Sequence, residues 1–247
     1  MSKKIWLCAL AGSVVVGSVG VAVYVMHKKP AINIAENKRF IEKELYRGIK
    51  GGGPLQEHER ALIEKNYTKK TSIYGEILYD SAQALLQDPE LAFGPEDIFY
   101  DLGSGVGKMA VQVYLNTPVK KVVGIELSPT RHAKAEKVMQ RCTQSNIMQK
   151  GRALALCHGD MLELDIDDAT IIYMCSTCYP PELLEQLVLK FSKLQPGARI
   201  ISLKELPNYA QHGMEFVKEV RLPMTWSRED GSPVYIYRRT NTGVAPA

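Results

Sequence analysis

The sequence has almost no excess of one charge: 31 Lys+Arg face 27 Asp+Glu over 247 residues, a formal net charge of +4. Without a long basic tail or stripe, so small a surplus gives no electrostatic footprint for a nucleic-acid partner. Cysteine is also scarce. Cys8, Cys142, Cys157, Cys175 and Cys178 are too few and odd in number for a disulfide framework, which points to a reducing compartment. Cys175 and Cys178 form a C-x-x-C pair, but no second pair or spaced histidines accompany them, so they read as small core or pocket-lining residues. His132 and His158 lack metal-ligand spacing and read as structural. Collagen-like, proline-rich and heptad patterns are missing. With 45% apolar residues and little net charge, the chain can bury a core, which excludes disorder as its dominant state.

What the sequence does have is one long uncharged run, Ile5 to Met26, bracketed by Lys3 and Lys4 and by His27, Lys28 and Lys29. As a helix rising about 1.5 Å per residue it is long enough for a hydrocarbon core of about 30 Å. It reads as a single-pass transmembrane anchor rather than a cleaved signal, whose apolar region is only about 7–15 residues long. The larger basic surplus follows the run, so the long C-terminal part is expected to face the cytosol or the interior of an organelle such as the mitochondrion. Ala9, Ser13 and Gly17 recur every four residues, a spacing that permits a homodimer through the span but is also common in such spans.

The reading divides the chain into an anchor (1–29), a helical linker region (30–70) and one domain (71–247). Gly51-Gly52-Gly53-Pro54 is the strongest breaker cluster and the expected hinge. A helix is expected from about Tyr74 to Gln87, where Ile77, Leu78, Ala82, Leu85 and Leu86 share an apolar face. From Ile98 strands and helices alternate. Strands are expected at 98–102, 121–127, 153–157, 170–175 and 199–204, with helices at 106–115, 129–144 and 181–194 between them. Two last strands, 216–222 and 233–238, have only a polar 227–232 turn between them. The expected fold class is α/β, a doubly wound, mostly parallel seven-stranded Rossmann-like sheet with an antiparallel edge, N-terminal helices and a transmembrane helix.

Tyr100-Asp101-Leu102-Gly103-Ser104-Gly105-Val106-Gly107 stands where the first strand meets the first helix. Glycines there allow a sharp turn and close ligand approach, and the helix N-terminus offers free amide donors. Glu126, 25 residues after Asp101 at the end of the second strand, is placed to accept hydrogen bonds from two ribose hydroxyls. A dinucleotide loop would carry a small residue where this chain has Lys108. The aspartate ahead of the glycines suits a ligand with an amino group. S-adenosylmethionine combines that group with free ribose hydroxyls and a sulfonium. Gly159-Asp160-Met161 fits as well, with Asp160 for the adenine amine and Met161 for its ring. The expected donor-binding set is therefore Asp101, Gly103, Gly105, Gly107, Glu126, Asp160 and Met161.

Tyr74-Gly75-Glu76, followed by Tyr79-Asp80 and Ala82-Gln83, resembles the Tyr-Gly-Glu helix ahead of the donor loop in the disruptor-of-telomeric-silencing (DOT-like) family of histone-lysine methyltransferases. The Asp101–Gly107 loop resembles that family's loop too, and Thr225-Trp226 with Pro233-Val234 and Tyr237 resembles its closing strands. The resemblance spans about residues 70–240. It implies a class I S-adenosylmethionine-dependent methyltransferase, most simply one that acts on a protein lysine of a histone or a membrane-associated protein. It adds Tyr74 and Glu76 to the donor contacts, and Tyr74, Tyr179, Trp226 and Tyr237 are expected around a narrow channel for a lysine acceptor. Ser176 and Thr177 stand where a polar group could hold the incoming amine or simply end a strand, and with Tyr179 and Tyr237 they make up the expected catalytic set. The chain departs from the family where Cys175-Ser176-Thr177-Cys178-Tyr179 replaces an Asn-Asn-Phe-Ala-Phe-type segment and Lys108 replaces a glutamine. With its hydrophobic start, the chain also resembles mitochondrial lysine methyltransferases that modify membrane carriers or ATP-synthase subunits. A small-molecule methyltransferase and a non-catalytic donor-binding membrane scaffold remain the alternative readings.

Overall fold

The computed structural model describes residues 33–66 and 73–241. The expected span over residues 5–26 lies outside the described residues. The core is built on buried apolar strands: β1 (Ile98–Leu102), β2 (Lys121–Glu126), β3 (Ala153–His158), β4 (Ile171–Met174) and β5 (Arg199–Ser202). Runs of Val, Ile and Leu suit strands covered on both faces, because neither face is free for polar side chains. The chain closes with β6 (Met214–Met224) and β7 (Ser227–Arg239). The strand order is β3-β2-β1-β4-β5-β7-β6. Pairs through β5 are parallel, whereas β5–β7 and β6–β7 are antiparallel.

The expected fold class is corrected in two respects. The sheet is mixed: β7 runs antiparallel to both β5 and β6 within the same seven-stranded sheet as the parallel strands. Among the described residues, moreover, no helix is long and apolar enough to cross a membrane. The expected 227–232 turn also moves. Met224 pairs with Ser227, so Thr225 and Trp226 form the reversal, and the shift between Leu222 and Met224 takes up the intervening residues as an irregularity in β7.

Helices cover both faces. On one lies α1 (Ile34–Phe40), which continues through a π-helical turn at Ile41–Leu45, and α2 (Glu57–Asn66) is tied through Glu59 to Ser128 and Thr130. α3 (Tyr79–Leu86), α4 (Lys108–Asn116) and α5 (Pro129–Gln144) share that face, burying Leu85, Val113 and Val138 in one cluster. The opposite face is covered by α6 (Pro181–Phe191), whose Leu183, Leu184, Leu187, Val188 and Phe191 recur at helical spacing. Pro181 opens that helix, where a missing N–H costs nothing.

The Tyr74–Gln87 helix of the sequence reading is also corrected. Helix begins only at Tyr79, and Tyr74-Gly75-Glu76 ahead of it is not helical. The segment is held from the far end of the chain: Glu76 N–H donates to Thr225 Oγ1 at 3.0 Å, Thr225 N–H donates to Glu76 O at 2.9 Å, and Ile77 bridges Met224. Apolar periodicity cannot reveal a strap whose partners lie about 150 residues away.

Glu59 of α2 is the other long-range tie. It is 1% exposed and accepts from Gln56 N–H, Ser128 Oγ, Thr130 N–H and Thr130 Oγ1. Burial alone would raise its carboxyl, but the hydrogen bonds from Thr130, Gln56 and Ser128 outweigh that and hold it at about 2. A carboxylate lowered in this way contributes stability above its unfolded value near 4.5, and the contribution is lost as pH falls toward 2. Glu59→Gln should destabilise the fold by about 1–3 kcal/mol in urea denaturation at neutral pH, with the difference from wild type shrinking through that acid window; a pH-independent difference would contradict the assignment.

Candidate functional site

The C-terminal ends of β1, β2 and β4 open into a cavity of about 270 Å³. This is where ligands bind in open α/β sheets, beyond the carboxyl ends of the strands. The β1–α4 loop forms its floor. Gly103 and Ser104 donate their N–H groups to Ile125 O, both at 2.9 Å, and Gly105 N–H donates to Glu126 Oε2 at 2.8 Å. Gly103 and Gly105 have φ of +80° and +58°, a region that side-chain-bearing residues avoid. A Cβ on Gly103 would meet the Tyr179 hydroxyl, and one on Gly105 would lie 2.7 Å from the Tyr74 ring. Gly107 serves differently. It is the N-cap of α4, its own Cβ position points at Leu156, and it does not line the cavity. It supplies the close helix–sheet approach for which Lys108 is too large.

Glu126 ends β2 and is almost wholly buried. Its Oε1 accepts from Ser128 N–H at 2.8 Å, complementing the Gly105 bond to Oε2. Burial pushes its pKa up, and Arg131 with the two amide donors opposes the shift. Asp101 ends β1, is 2% exposed, and is pushed to about 8 by burial and then by the charge of Glu126. Two carboxyls are thus held beside each other in a site that favours a cationic visitor.

The strap forms the wall. The Tyr74 hydroxyl donates to Glu76 Oε1, and the Lys108 ammonium pairs with Glu76 Oε2. The Tyr74 ring packs against Gly51 and Gly105, with the Arg131 guanidinium 5.1 Å from its centroid. The expected hinge thus holds a buried glycine whose lack of a side chain makes room for Tyr74. Trp226 lies on Gly75 and lines the cavity while remaining 43% exposed, and exposed Ile73 stands at the same mouth.

Tyr74, Glu76, Asp101, Gly103, Gly105, Glu126, Met161, Thr177, Tyr179 and Trp226 all meet at this cavity. Ser176, Asp160 and Tyr237 do not line it. Ser176 is fully buried, shares a 2.8 Å hydrogen bond with Ser202 and accepts from Leu203 and Lys204 N–H, so it fastens the β4 turn to β5. Asp160 Oδ1 accepts from Leu162 N–H in a turn. Tyr237 belongs to the core under α6, accepts from Leu206 N–H and packs on Tyr209 and Phe216. Successive strand residues face opposite sides, and Tyr237 falls on the side away from Val234 and Ile236, which join the other core cluster.

The sequence reading missed Arg131, Ser104, Tyr173, Met109, Leu127 and Ile63 as lining residues and counted Lys108 only as a departure. For Arg131 the usable signal was its place in the first turn of α5, next to Glu126. Cys175 and Cys178 line the cavity. Burial and then Asp101 push the Cys175 thiol to about 12, so it is a poor nucleophile. His132 and His158 stack at 5.4 Å, and His158 Nε2 lies 3.0 Å from Leu127 O. Among the described residues no cluster of His, Cys, Asp and Glu suits a metal ion.

A family model described as histone methylation protein DOT1 matches residues 58–220. The chain belongs to this family. It is 31% identical over 138 residues to the Drosophila melanogaster histone-lysine N-methyltransferase, H3 lysine-79 specific, covering 53% of this chain and 7% of that protein. It is 29% identical to the Caenorhabditis elegans protein of the same description, over 58% of this chain and 15% of that one. A protein-lysine N-methyltransferase of Saccharolobus islandicus is 32% identical over 43% of this chain and 62% of its own length. The chain therefore spans less than two thirds of each of these relatives. Among solved structures, an RNA methyltransferase from Salinibacter ruber in complex with S-adenosyl-L-homocysteine superposes with a TM-score of 0.48 at 21% identity, covering 68% of this chain and 92% of that one. The single-pass membrane location expected from residues 5–26 finds no support among the described residues, where no helix is long and apolar enough to cross a membrane.

The seating of Trp226 on Gly75 can be checked by fluorescence. In a Trp6→Phe background Trp226 is the sole tryptophan. Adding Gly75→Ala should displace its ring, shifting emission to the red and raising acrylamide quenching. An unchanged spectrum would contradict the contact.

Proposed function

We propose that this DOT1-family chain is an S-adenosylmethionine-dependent protein-lysine N-methyltransferase, and that a histone lysine is its acceptor. The observation that carries the reading is the pairing of a side-chain-free glycine loop with two buried carboxyls, Asp101 and Glu126, at the mouth of the sheet. The site fits the donor on its own terms. No side chain fits at Gly103 or Gly105, where the Tyr179 hydroxyl and the Tyr74 ring already take the Cβ positions, so both residues present only backbone to the cavity they line. Glu126 keeps unused lone pairs after its two amide bonds, because a carboxylate has about four acceptor sites. It would hold the ribose hydroxyls, Asp101 the amino group and Met161 the adenine ring, with Tyr74 and Glu76 at the methionine end.

When bound, the donor supplies an electrophilic methyl group on a sulfonium. The residues of this chain supply position and dryness. Tyr74, Trp226 and Ile73 wall the mouth with apolar surface, and Thr177, Cys178 and Tyr179 complete the side next to β4. A lysine acceptor must lose its proton before it attacks, and a desolvating channel favours the neutral amine over its charged form, whose ordinary pKa is about 10.4. Of the expected catalytic residues that line the cavity, Thr177 is exposed and would take such an amine, whereas the Tyr179 hydroxyl donates to Leu102 O.

Two outcomes test the reading. Core histones and nucleosomes incubated with labelled donor and the full chain should acquire label on lysine, and Glu126→Ala should lower donor affinity at least about tenfold. Donor binding with no label on any protein would sink the enzyme in favour of a scaffold. Because the Asp101 carboxyl is held up to about 8, it must ionise to receive an ammonium group. Affinity for S-adenosylhomocysteine should therefore climb as pH rises from about 6 toward 8, with proton release on binding, and Asp101→Asn should flatten the slope. Equal slopes in wild type and variant would remove Asp101 from that role.

A further inference from the structure

Tyr173 carries the one buried tyrosine hydroxyl that the described fold leaves without a hydrogen-bond partner. It is 2% exposed and lines the cavity. The other deeply buried tyrosines are provided for. Tyr46 donates to Val106 O, Tyr100 to Asp168, and Tyr179 to Leu102 O, while Tyr114 and Tyr237 accept from backbone amides. A buried polar group without a partner is costly, and phenylalanine would fill the same space at no such cost. Packing therefore does not account for a tyrosine here.

Its position says what partner would suit it. Tyr173 pairs in register with Asp101 on the adjacent parallel strand, so both side chains leave the sheet on the same face. Glu126 lies on β2, beyond β1 from β4, which puts Tyr173 on the opposite side of Asp101 from the ribose-holding carboxylate. Cys175 and Tyr74–Glu76 complete the surroundings on this side of the cavity. Burial, and behind it Cys175 and Asp101, keeps the phenol protonated well above its ordinary range. The hydroxyl is then both a donor and an acceptor, as a group facing an ammonium and a carboxylate together would need to be.

We infer that Tyr173 is a further donor-binding residue whose hydroxyl hydrogen-bonds the amino-acid end of S-adenosylmethionine beside Asp101. The inference rests on the donor reading proposed above. Its test is Tyr173→Phe in the full chain, titrated by calorimetry with S-adenosylhomocysteine and with methylthioadenosine, which keeps the adenosine and sulfur but lacks the amino-acid end. The variant should lose roughly five- to tenfold in affinity for S-adenosylhomocysteine and none for methylthioadenosine. Its ligand-free melting temperature should equal or exceed that of wild type, because no hydrogen bond is removed. Unchanged affinity for S-adenosylhomocysteine, an equal loss for both ligands, or a lower melting temperature of the free variant would each overturn the inference. A wild-type chain that fails to bind S-adenosylhomocysteine would overturn the donor reading itself, a result distinct from a wild type and a variant that bind alike.

Discussion

One buried carboxylate holds the site together. Glu126 reaches from the end of β2 to the Gly105 amide on one side and the Ser128 amide on the other, joining the glycine loop to the start of α5. Ser128 in turn donates through Oγ to Glu59, which also receives Thr130, so α2 is fastened to the same chain of hydrogen bonds. A buried charge survives only with such partners. The loop conformation, the entry of α5 and the seating of α2 are therefore coupled. An ionised Glu126 keeps acceptor capacity after making those bonds, so one residue both braces the cavity and faces what enters it.

The second constraint is electrostatic. Asp101 and Glu126 stand near each other with little solvent, and Asp101 yields by holding its proton to about 8. Of the nearby cations, Lys108 pairs with Glu76, while Arg131 lies over the Tyr74 ring and acts on Glu126. A site with two carboxyls and no cation dedicated to Asp101 is poised for a positively charged ligand. The unpaired Tyr173 hydroxyl belongs to the same tension, a polar group kept in the core at some cost to the empty fold.

The parts legible in the sequence are those whose physics is local. The Asp101–Gly107 loop follows from glycine conformational freedom at a strand-to-helix turn. The position of Glu126 follows from the length of one βαβ unit, and α5 from Pro129 at its start. What escaped depends on distant partners. Tyr74-Gly75-Glu76 looks like the first turn of a helix until Thr225 claims both polar backbone groups of Glu76. Gly51 looks like a hinge until the Tyr74 ring occupies the space where its side chain would be. Tyr237 was one residue out of phase, which on a strand moves a side chain through the sheet to the other core. Ser176 carried the right chemistry in the right segment, but its hydroxyl is spent on β5. The hydrophobic run near the chain start lies beyond the described residues, and the described helices give it no membrane-crossing counterpart.

The most direct test of the central claim is a crystal structure of the full chain with S-adenosylhomocysteine. The account predicts the adenosine over Gly103–Gly105 and against Met161, with both ribose hydroxyls on the Glu126 carboxylate. A nucleoside bound elsewhere, or one whose ribose turns away from Glu126, would contradict it.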